Sequence, residues 1–133
     1  MNLLVLGATG GTGLQVVSQA LAAGHVVTAL VRTPAKLTVR DGRLRVVAGS
    51  VIDGDAMAQA LPGQDAVIST LGRGSSLKSD HLLERAVPIL LAGMQAVGVR
   101  RLVFTSAIGV GAAYPEAPLF SRLVIRLLLP TFW

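Results

Sequence analysis

The feature that most constrains this chain is a glycine-rich stretch near its start, VLGATGGTGLQVV, with Gly7, Gly10 and Gly13 at regular spacing. It follows the apolar run 3–6, which predicts a β-strand, and it opens a run of helical periodicity that continues to Ala23. The free N–H groups and the dipole at the start of a helix favour an anion. Glycines there allow a positive φ, close approach of the anion, and tight packing of helix on strand. We predict an anion-binding turn; a turn that binds nothing is the alternative.

Short β-branched runs alternate with helical runs along the rest of the chain, which is typical of βαβ units. Right-handed crossovers then predict a Rossmann-like α/β fold, a doubly wound parallel sheet of five strands in the order 3-2-1-4-5. We expect one domain over residues 1–133, because this length suffices for one ordinary domain but not for two. The predicted strands are 3–6, 26–31, 44–48, 65–70 and 101–105. The predicted helices are 13–23, a short one with Thr33 as its cap and Pro34 in its first turn, one capped by Asp53 or Asp55 that runs to about 61, one over about 80–97, and one over 119–129.

Composition agrees with such a fold and excludes several function classes. Hydrophobic residues make up 52% of the chain and charged residues 14%, which fits a sheet covered on both faces. Without cysteine there are no disulfides or thiol nucleophiles, and the isolated His25 and His81 predict no metal site. No apolar run could span a membrane and no signal peptide is visible, so we expect a cytoplasmic protein without a membrane partner. Aromatic residues make up 4%, which argues against nucleic-acid binding despite the net charge of +5.

The strand–turn–helix context of the glycines predicts that the anion is the pyrophosphate of a nicotinamide dinucleotide. The glycines would let the phosphates approach the backbone, and two threonine hydroxyls would add hydrogen-bond donors. The residues predicted to hold the pyrophosphate are Gly7, Thr9, Gly10, Gly11, Thr12 and Gly13.

The end of the second predicted strand discriminates between the two nicotinamide cofactors. An acidic residue there would bind the ribose 2′-hydroxyl of NAD, whereas an arginine accommodates the 2′-phosphate of NADP. The chain has Arg32 at this point, no carboxylate before Asp41, and Thr33 and Lys36 in reach to assist. We therefore predict NADP (NADPH), with NAD less favoured. The five basic residues from Arg32 to Arg45 leave two interpretations open, a solvated rim and an anion site.

Five motifs follow one another at the ends of the predicted strands: GATGGTG, VRTPAKL, GSVID, DAVISTLG and RLVFTSA. With them the chain resembles the atypical short-chain dehydrogenase/reductases, in particular the NmrA-like and biliverdin-reductase-B-like (flavin-reductase-like) NAD(P)H-binding proteins. The resemblance implies that Asp53 lies near the adenine and Ser106 near the nicotinamide and the substrate; a plain helix cap is the alternative for Asp53. The strand-end residues that would run beside the cofactor are Thr70, Leu71, Gly72 and Thr105.

Two departures from the family pattern qualify the resemblance. Orthodox short-chain dehydrogenases use a Tyr-x-x-x-Lys pair for proton transfer, but here Tyr114 is followed four residues later by Pro118. The flavin-reductase-like relatives also lack the pair, so hydride transfer is not excluded. Relatives also continue further than this chain, so we expect a C-terminally shortened protein. Its fifth strand would be an exposed edge, and we expect a homo-oligomer through this edge or through the apolar helix 119–129; burial of these residues inside the domain is the alternative.

These features predict an oxidoreductase that transfers hydride from NADPH to a small planar acceptor such as a flavin or a quinone. Ser106 is the candidate catalytic residue, as a hydrogen-bond donor to the substrate or the carboxamide. Without a histidine partner in the sequence it does not support a hydrolase triad. The polar loop 72–79 lacks the Walker lysine-serine pair and is interpreted as a flap over the cofactor. The alternatives are an NmrA-like module that senses the dinucleotide without turning it over, and an inactive truncated reductase.

Overall fold

The computed structural model describes residues 1–72 and 81–105. Nearly all of the predicted flap, Ser106 and the predicted helix 119–129 lie outside these residues. The elements are β1 (Asn2–Leu6), α1 (Gly11–Ala22), β2 (Val26–Val31), a 3₁₀ helix (Pro34–Lys36), β3 (Leu44–Ala48), α2 (Gly54–Ala60), β4 (Ala66–Ser69), α3 (Leu82–Val97) and β5 (Arg101–Phe104).

The five strands form one parallel sheet in the order β3-β2-β1-β4-β5, which confirms the predicted topology. The central strand β1 pairs with β2 on one side and with β4 on the other, so that Leu4 lies between Thr28 and Val67. Because neighbours cover both its edges and both its faces, Leu4, Val5 and Leu6 are completely buried. This explains why β1 is an uninterrupted apolar run.

Helices cover both faces of the sheet. Alternate side chains of β1 enter two separate cores: Leu3 and Val5 pack with α1, whereas Leu4 and Leu6 pack with α2 and α3. Since each helix follows a parallel strand, the N-termini of all three helices lie at the edge where the strands end. In residues 1–72 and 81–105 no helix has the length and apolarity that a membrane crossing requires.

Several elements begin or end one or two residues from the predicted positions, and two differences from the prediction have a local reason. α1 begins at Gly11, two residues earlier than predicted, because Gly10 has an extended backbone (φ −78°, ψ 162°) and serves as the N-cap. The short helix after Thr33 is a 3₁₀ helix with Pro34 at its start, and the Thr33 side chain makes no capping hydrogen bond. Proline is favoured there because its fixed φ suits the first helical position.

The strand β5 lies at one edge of the sheet and pairs, within the described ranges, with β4 alone. Two of its apolar side chains are open to solvent: Val103 is 51% exposed and Phe104 is 39% exposed. This is one of the two surfaces for which the sequence predicts self-association. That association stays a prediction.

Candidate functional site

A cleft of about 690 Å³ opens at the edge of the sheet where the strands end. Its lining comes from the glycine turn between β1 and α1, the ends of β2 and β3, the residues after β4, and the start of α3. A volume of this size is typical of ligand and cofactor sites. The predicted cofactor-binding residues that line it are Gly7, Thr9, Gly10, Gly11, Thr12, Arg32, Lys36, Thr70, Leu71 and Gly72.

The glycine turn packs tightly between the end of β1 and the residue that follows β4. Gly7 has φ +79°, and a Cβ atom on it would lie 2.8 Å from both the carbonyl carbon and the carbonyl oxygen of Thr70. The Thr70 hydroxyl donates a hydrogen bond to the Leu6 carbonyl oxygen over 2.9 Å, and so does the Thr70 backbone N–H. Any side chain at position 7 would therefore require both a disfavoured φ and separation of the two strands.

The three motif glycines serve different purposes. A Cβ on Gly13 would lie 2.1 Å from the carbonyl oxygen of Gly7 and 2.8 Å from the Cα of Ala8. Gly13 is buried and lies outside the cleft, so it allows α1 to pack on the turn. A Cβ on Gly10 would meet only the Gly7 carbonyl oxygen, at 3.4 Å, and one on Gly11 would meet nothing within 4 Å. Packing leaves room at these two positions, and both face the cleft.

The N-terminus of α1 at the cleft has no cap of its own. Gly10 offers no side chain for a capping hydrogen bond, and the first turn contains no acidic residue. The first N–H groups of a helix need partners from outside the helix. An anion in the cleft would supply them and would also interact favourably with the helix dipole.

The charged residues that line the cleft, within the part of the chain that the structure describes, are Arg32 and Lys36. Arg43 precedes β3 and therefore lies at the opposite edge of the sheet, where its guanidinium contacts Asp41 at 3.2 Å. The backbone and side-chain hydrogen bonds from Arg43 lower the pKa of Asp41 below its ordinary value. That carboxylate therefore stays ionised at neutral pH and keeps Arg43 paired.

Two further arginines of this segment also have partners away from the cleft. Arg40 donates to the carbonyl oxygens of Leu37 and Val39, and Arg45 donates to the carbonyl oxygen of Gln59 at 3.1 Å. The basic segment thus divides into two cations in the cleft and three outside it. An anion site can thus include only Arg32 and Lys36 of these five residues, and for them it stays a prediction.

The apolar part of the cleft contains residues that were not predicted from the sequence as site residues: Ala8, Leu30, Val31, Gly49, Val51 and Leu82. A Cβ on Gly49 would lie 2.4 Å from the Cβ of Ala56, so α2 packs closely on the end of β3. The GSVID motif, which contains Gly49 and Val51, was a usable signal. No sequence signal indicated Leu82, because its position at the cleft depends on how α3 packs.

Besides Gly13, three predicted site residues are described but do not line the cleft: Thr33, Asp53 and Thr105. Asp53 is the N-cap of α2, since its Oδ1 accepts hydrogen bonds from the N–H groups of Asp55 at 3.0 Å and Ala56 at 3.5 Å. Thr105 donates its N–H to the carbonyl oxygen of Ser69 at 3.0 Å and so continues the pairing of β4 with β5. Within residues 1–72 and 81–105, no three or more His, Asp or Glu side chains come together as a metal site would require.

Comparison with known proteins identifies a matching family model and several relatives. The model of a family described as NAD(P)H-binding matches residues 7–129. The photosystem II assembly factor Ycf39 of Synechocystis is 33% identical over 125 residues, which are 90% of this chain and 37% of Ycf39. A (4-alkanoyl-5-oxo-2,5-dihydrofuran-3-yl)methyl phosphate reductase of Streptomyces griseus is 37% identical over 108 residues, which are 81% of this chain and 35% of the reductase. The chain thus spans about a third of the length of these relatives.

Solved structures agree with this placement. A short-chain dehydrogenase/reductase superfamily protein from Agrobacterium tumefaciens with bound NAD is 31% identical and has a TM-score of 0.69, with 89% of this chain and 35% of that protein covered. ChuY, an anaerobillin reductase from Escherichia coli O157:H7, shares the fold with a TM-score of 0.75 at 22% identity, over 97% of this chain and 62% of ChuY. Since the family model matches most of its length, the chain belongs to the NAD(P)H-binding family and has its Rossmann-like fold.

Proposed function

We propose that this chain binds NADPH in preference to NADH and forms the dinucleotide-binding part of a reductase. The observation that carries the preference is the charge of the cleft: within the described residues its lining contains Arg32 and Lys36 and no carboxylate. A guanidinium at the end of β2 suits the 2′-phosphate of NADP, whereas NAD is selected by a carboxylate that accepts from the ribose hydroxyls. The wall of the cleft offers two cations for this phosphate.

The glycine turn would hold the pyrophosphate of the same cofactor. Its donors would be the uncapped N–H groups at the start of α1 and the hydroxyls of the lining residues Thr9 and Thr12. Bound NADPH would supply a hydride, and the role of the protein is to bind and orient the cofactor. We propose a planar acceptor, a flavin or a quinone, with Ser106 as a hydrogen-bond donor to it. The name of the Streptomyces relative supports a reductase.

Calorimetric titration with NADPH and NADH, followed by absorbance of the reduced nicotinamide with menadione and FMN as acceptors, tests this function. We expect NADPH to bind at least about tenfold more tightly than NADH, a difference of about 1.4 kcal/mol, and to be oxidised when an acceptor is present. Binding without oxidation would contradict the reductase and favour a dinucleotide-sensing module. The absence of a Tyr-x-x-x-Lys pair at Tyr114 is the sequence feature that supports this second candidate. A chain that binds neither cofactor would contradict both.

Asp53 offers a way to separate folding from binding. We propose that Asp53, although it lies outside the lining of the cleft, contacts the adenine: both capping hydrogen bonds use its Oδ1, so its Oδ2 would accept one from the adenine amino group. Serine also caps helices well. We therefore expect Asp53→Ser to change the free energy of unfolding by less than about 0.5 kcal/mol but to weaken NADPH binding about tenfold. Urea denaturation and calorimetry measure the two effects.

Asp53→Ala is the matched variant that loses both contacts. It should destabilise the fold by about 1 kcal/mol and bind NADPH as weakly as the serine variant. If Asp53→Ser keeps wild-type affinity, Asp53 is a helix cap and nothing more.

A further inference from the structure

Thr70, the residue after β4, makes two hydrogen bonds to the end of β1. Its hydroxyl and its backbone N–H both donate to the carbonyl oxygen of Leu6, each over 2.9 Å. A carbonyl oxygen has two lone pairs, so it can accept both. The bond from the N–H continues the parallel pairing of β1 with β4, whereas the bond from the hydroxyl is additional to the sheet.

The Leu6 carbonyl belongs to the peptide group through which the chain enters the glycine turn. A trans peptide group is planar, so a hydrogen bond that holds its carbonyl also fixes the direction of its N–H, which here is that of Gly7. The backbone of Thr70 lies against the same turn, since a Cβ on Gly7 would lie 2.8 Å from the Thr70 carbonyl carbon and oxygen. Thr70 thus restrains both the peptide group before the turn and the first residue of the turn.

Thr70 is itself held from the side of β5. Its N–H belongs to the peptide group whose carbonyl oxygen is that of Ser69, and this oxygen accepts two hydrogen bonds from Thr105. The Thr105 N–H donates over 3.0 Å and the Thr105 hydroxyl over 3.4 Å. Hydrogen bonds therefore run from the residue after β5, across β4, to the peptide group that precedes the glycine turn. In such a chain each bond polarises the next and strengthens it.

The Thr70 hydroxyl is not free to donate to a phosphate, although Thr70 lines the cleft. A hydroxyl carries one proton, and the phosphate oxygens of a dinucleotide accept hydrogen bonds, so the proton given to Leu6 is not available to them. Resting on the dinucleotide binding proposed above, we propose that Thr70 is a positioning residue: its hydroxyl holds the Leu6–Gly7 peptide group so that the glycine turn can receive the pyrophosphate.

The affinities for the two cofactors test this role. Thr70→Val removes the hydroxyl and keeps the branched shape of the side chain. Because NADPH and NADH share the pyrophosphate, we expect both dissociation constants to rise together, each by about tenfold. Thr70→Ser keeps the hydroxyl and should bind both cofactors within about twofold of the wild type. Calorimetric titration of the wild type and the two variants measures these affinities.

Ser69→Ala is the matched control, one residue earlier in the chain. The Ser69 side chain is completely buried, and within residues 1–72 and 81–105 its hydroxyl has no hydrogen-bond partner. Its removal therefore breaks no hydrogen bond and relieves an unsatisfied buried group. We expect both affinities to stay within about twofold of the wild type, and the urea midpoint to equal or exceed that of the wild type.

Amide NMR spectra of the free protein show whether the turn moves. We expect the Gly7 amide signal to shift more in Thr70→Val than in Thr70→Ser or Ser69→Ala. The same spectra show whether each variant is folded, so that weaker binding is not mistaken for unfolding. If Thr70→Val does not fold, Thr70→Ala takes its place, because it removes the hydroxyl without a methyl group beside the Leu6 carbonyl.

The outcomes separate this proposal from the proposed function. Wild-type affinity for both cofactors in a folded variant without the hydroxyl would overturn the proposal, because Thr70 would then serve the sheet alone. Binding by Thr70→Ser as weak as that by Thr70→Val would overturn it as well, and so would a loss confined to NADPH. If the wild type binds neither cofactor, the proposed function fails and this inference fails with it.

Discussion

Replacing Gly13 by alanine is expected to lower the free energy of unfolding by about 2–4 kcal/mol and to abolish NADPH binding. The new Cβ would lie 2.1 Å from the Gly7 carbonyl oxygen, which is backbone and cannot rotate away. Gly7 cannot yield either, since it is itself clamped against Thr70. α1 would have to move away from β1, and the N–H groups that face the cleft would move with it. Urea denaturation and NADPH titration measure both losses.

Gly11→Ala is the matched control two residues earlier. It adds the same methyl group to the same helix, where nothing lies within 4 Å of the new atom. Because alanine favours a helix over glycine, we expect its stability to stay within about 1 kcal/mol of the wild type or to rise slightly. Equal stability of the Gly13 and Gly11 variants would show that the close approach of α1 to the turn does not constrain the fold.

Arg32→Ala is expected to weaken NADPH binding by about 10- to 100-fold and to leave NADH binding within about threefold. A hydrogen bond to a charged group contributes about 1.5–3 kcal/mol, and each 1.4 kcal/mol is a factor of ten. NADH carries no 2′-phosphate, so it loses little when the guanidinium is removed. Lys36→Ala should have the same sign and a smaller size, because an ammonium lacks the planar fork that matches a phosphate. Calorimetric titration of each variant with both cofactors gives the four affinities needed.

Arg43→Ala controls for the loss of one positive charge in the same segment. Its guanidinium is paired with Asp41 and lies outside the cleft, so we expect the NADPH affinity to change by less than about twofold. Equal weakening of NADPH and NADH by Arg32→Ala would contradict the role given to Arg32, because it would show a contact to a group that both cofactors share.

The sequence predicted the fold well because its strands are unambiguous. The run before Gly7 is apolar throughout, as a central parallel strand requires, and the structure confirms both this strand and the order of all five. Element ends were harder to predict. Nothing in the composition of GGTG indicates that Gly11 already has helical geometry, because that depends on the extended backbone of Gly10.

The residues that line the cleft likewise divide into those that the sequence predicts and those that it does not. Residues at strand ends, such as Arg32 and Thr70, were predictable because parallel strands end at one edge and bring their following residues together. Leu30 and Leu82 were not, since one looks like an ordinary core residue and the other like an ordinary helix residue. They meet in the cleft through tertiary packing, which has no local signature in the sequence.

The missing cap at the start of α1 links cofactor binding to stability. Within residues 1–72 and 81–105 no side chain caps the first turn of α1, so its amide hydrogens should exchange rapidly in the free protein. A dinucleotide phosphate bound there would supply the missing partners, and at 100 times its dissociation constant a ligand stabilises the folded state by about 2.7 kcal/mol. The cofactor would then act as a reversible part of the fold. The melting temperature of the chain should consequently follow the concentration of free dinucleotide, with the first turn of α1 as the region that gains the most protection.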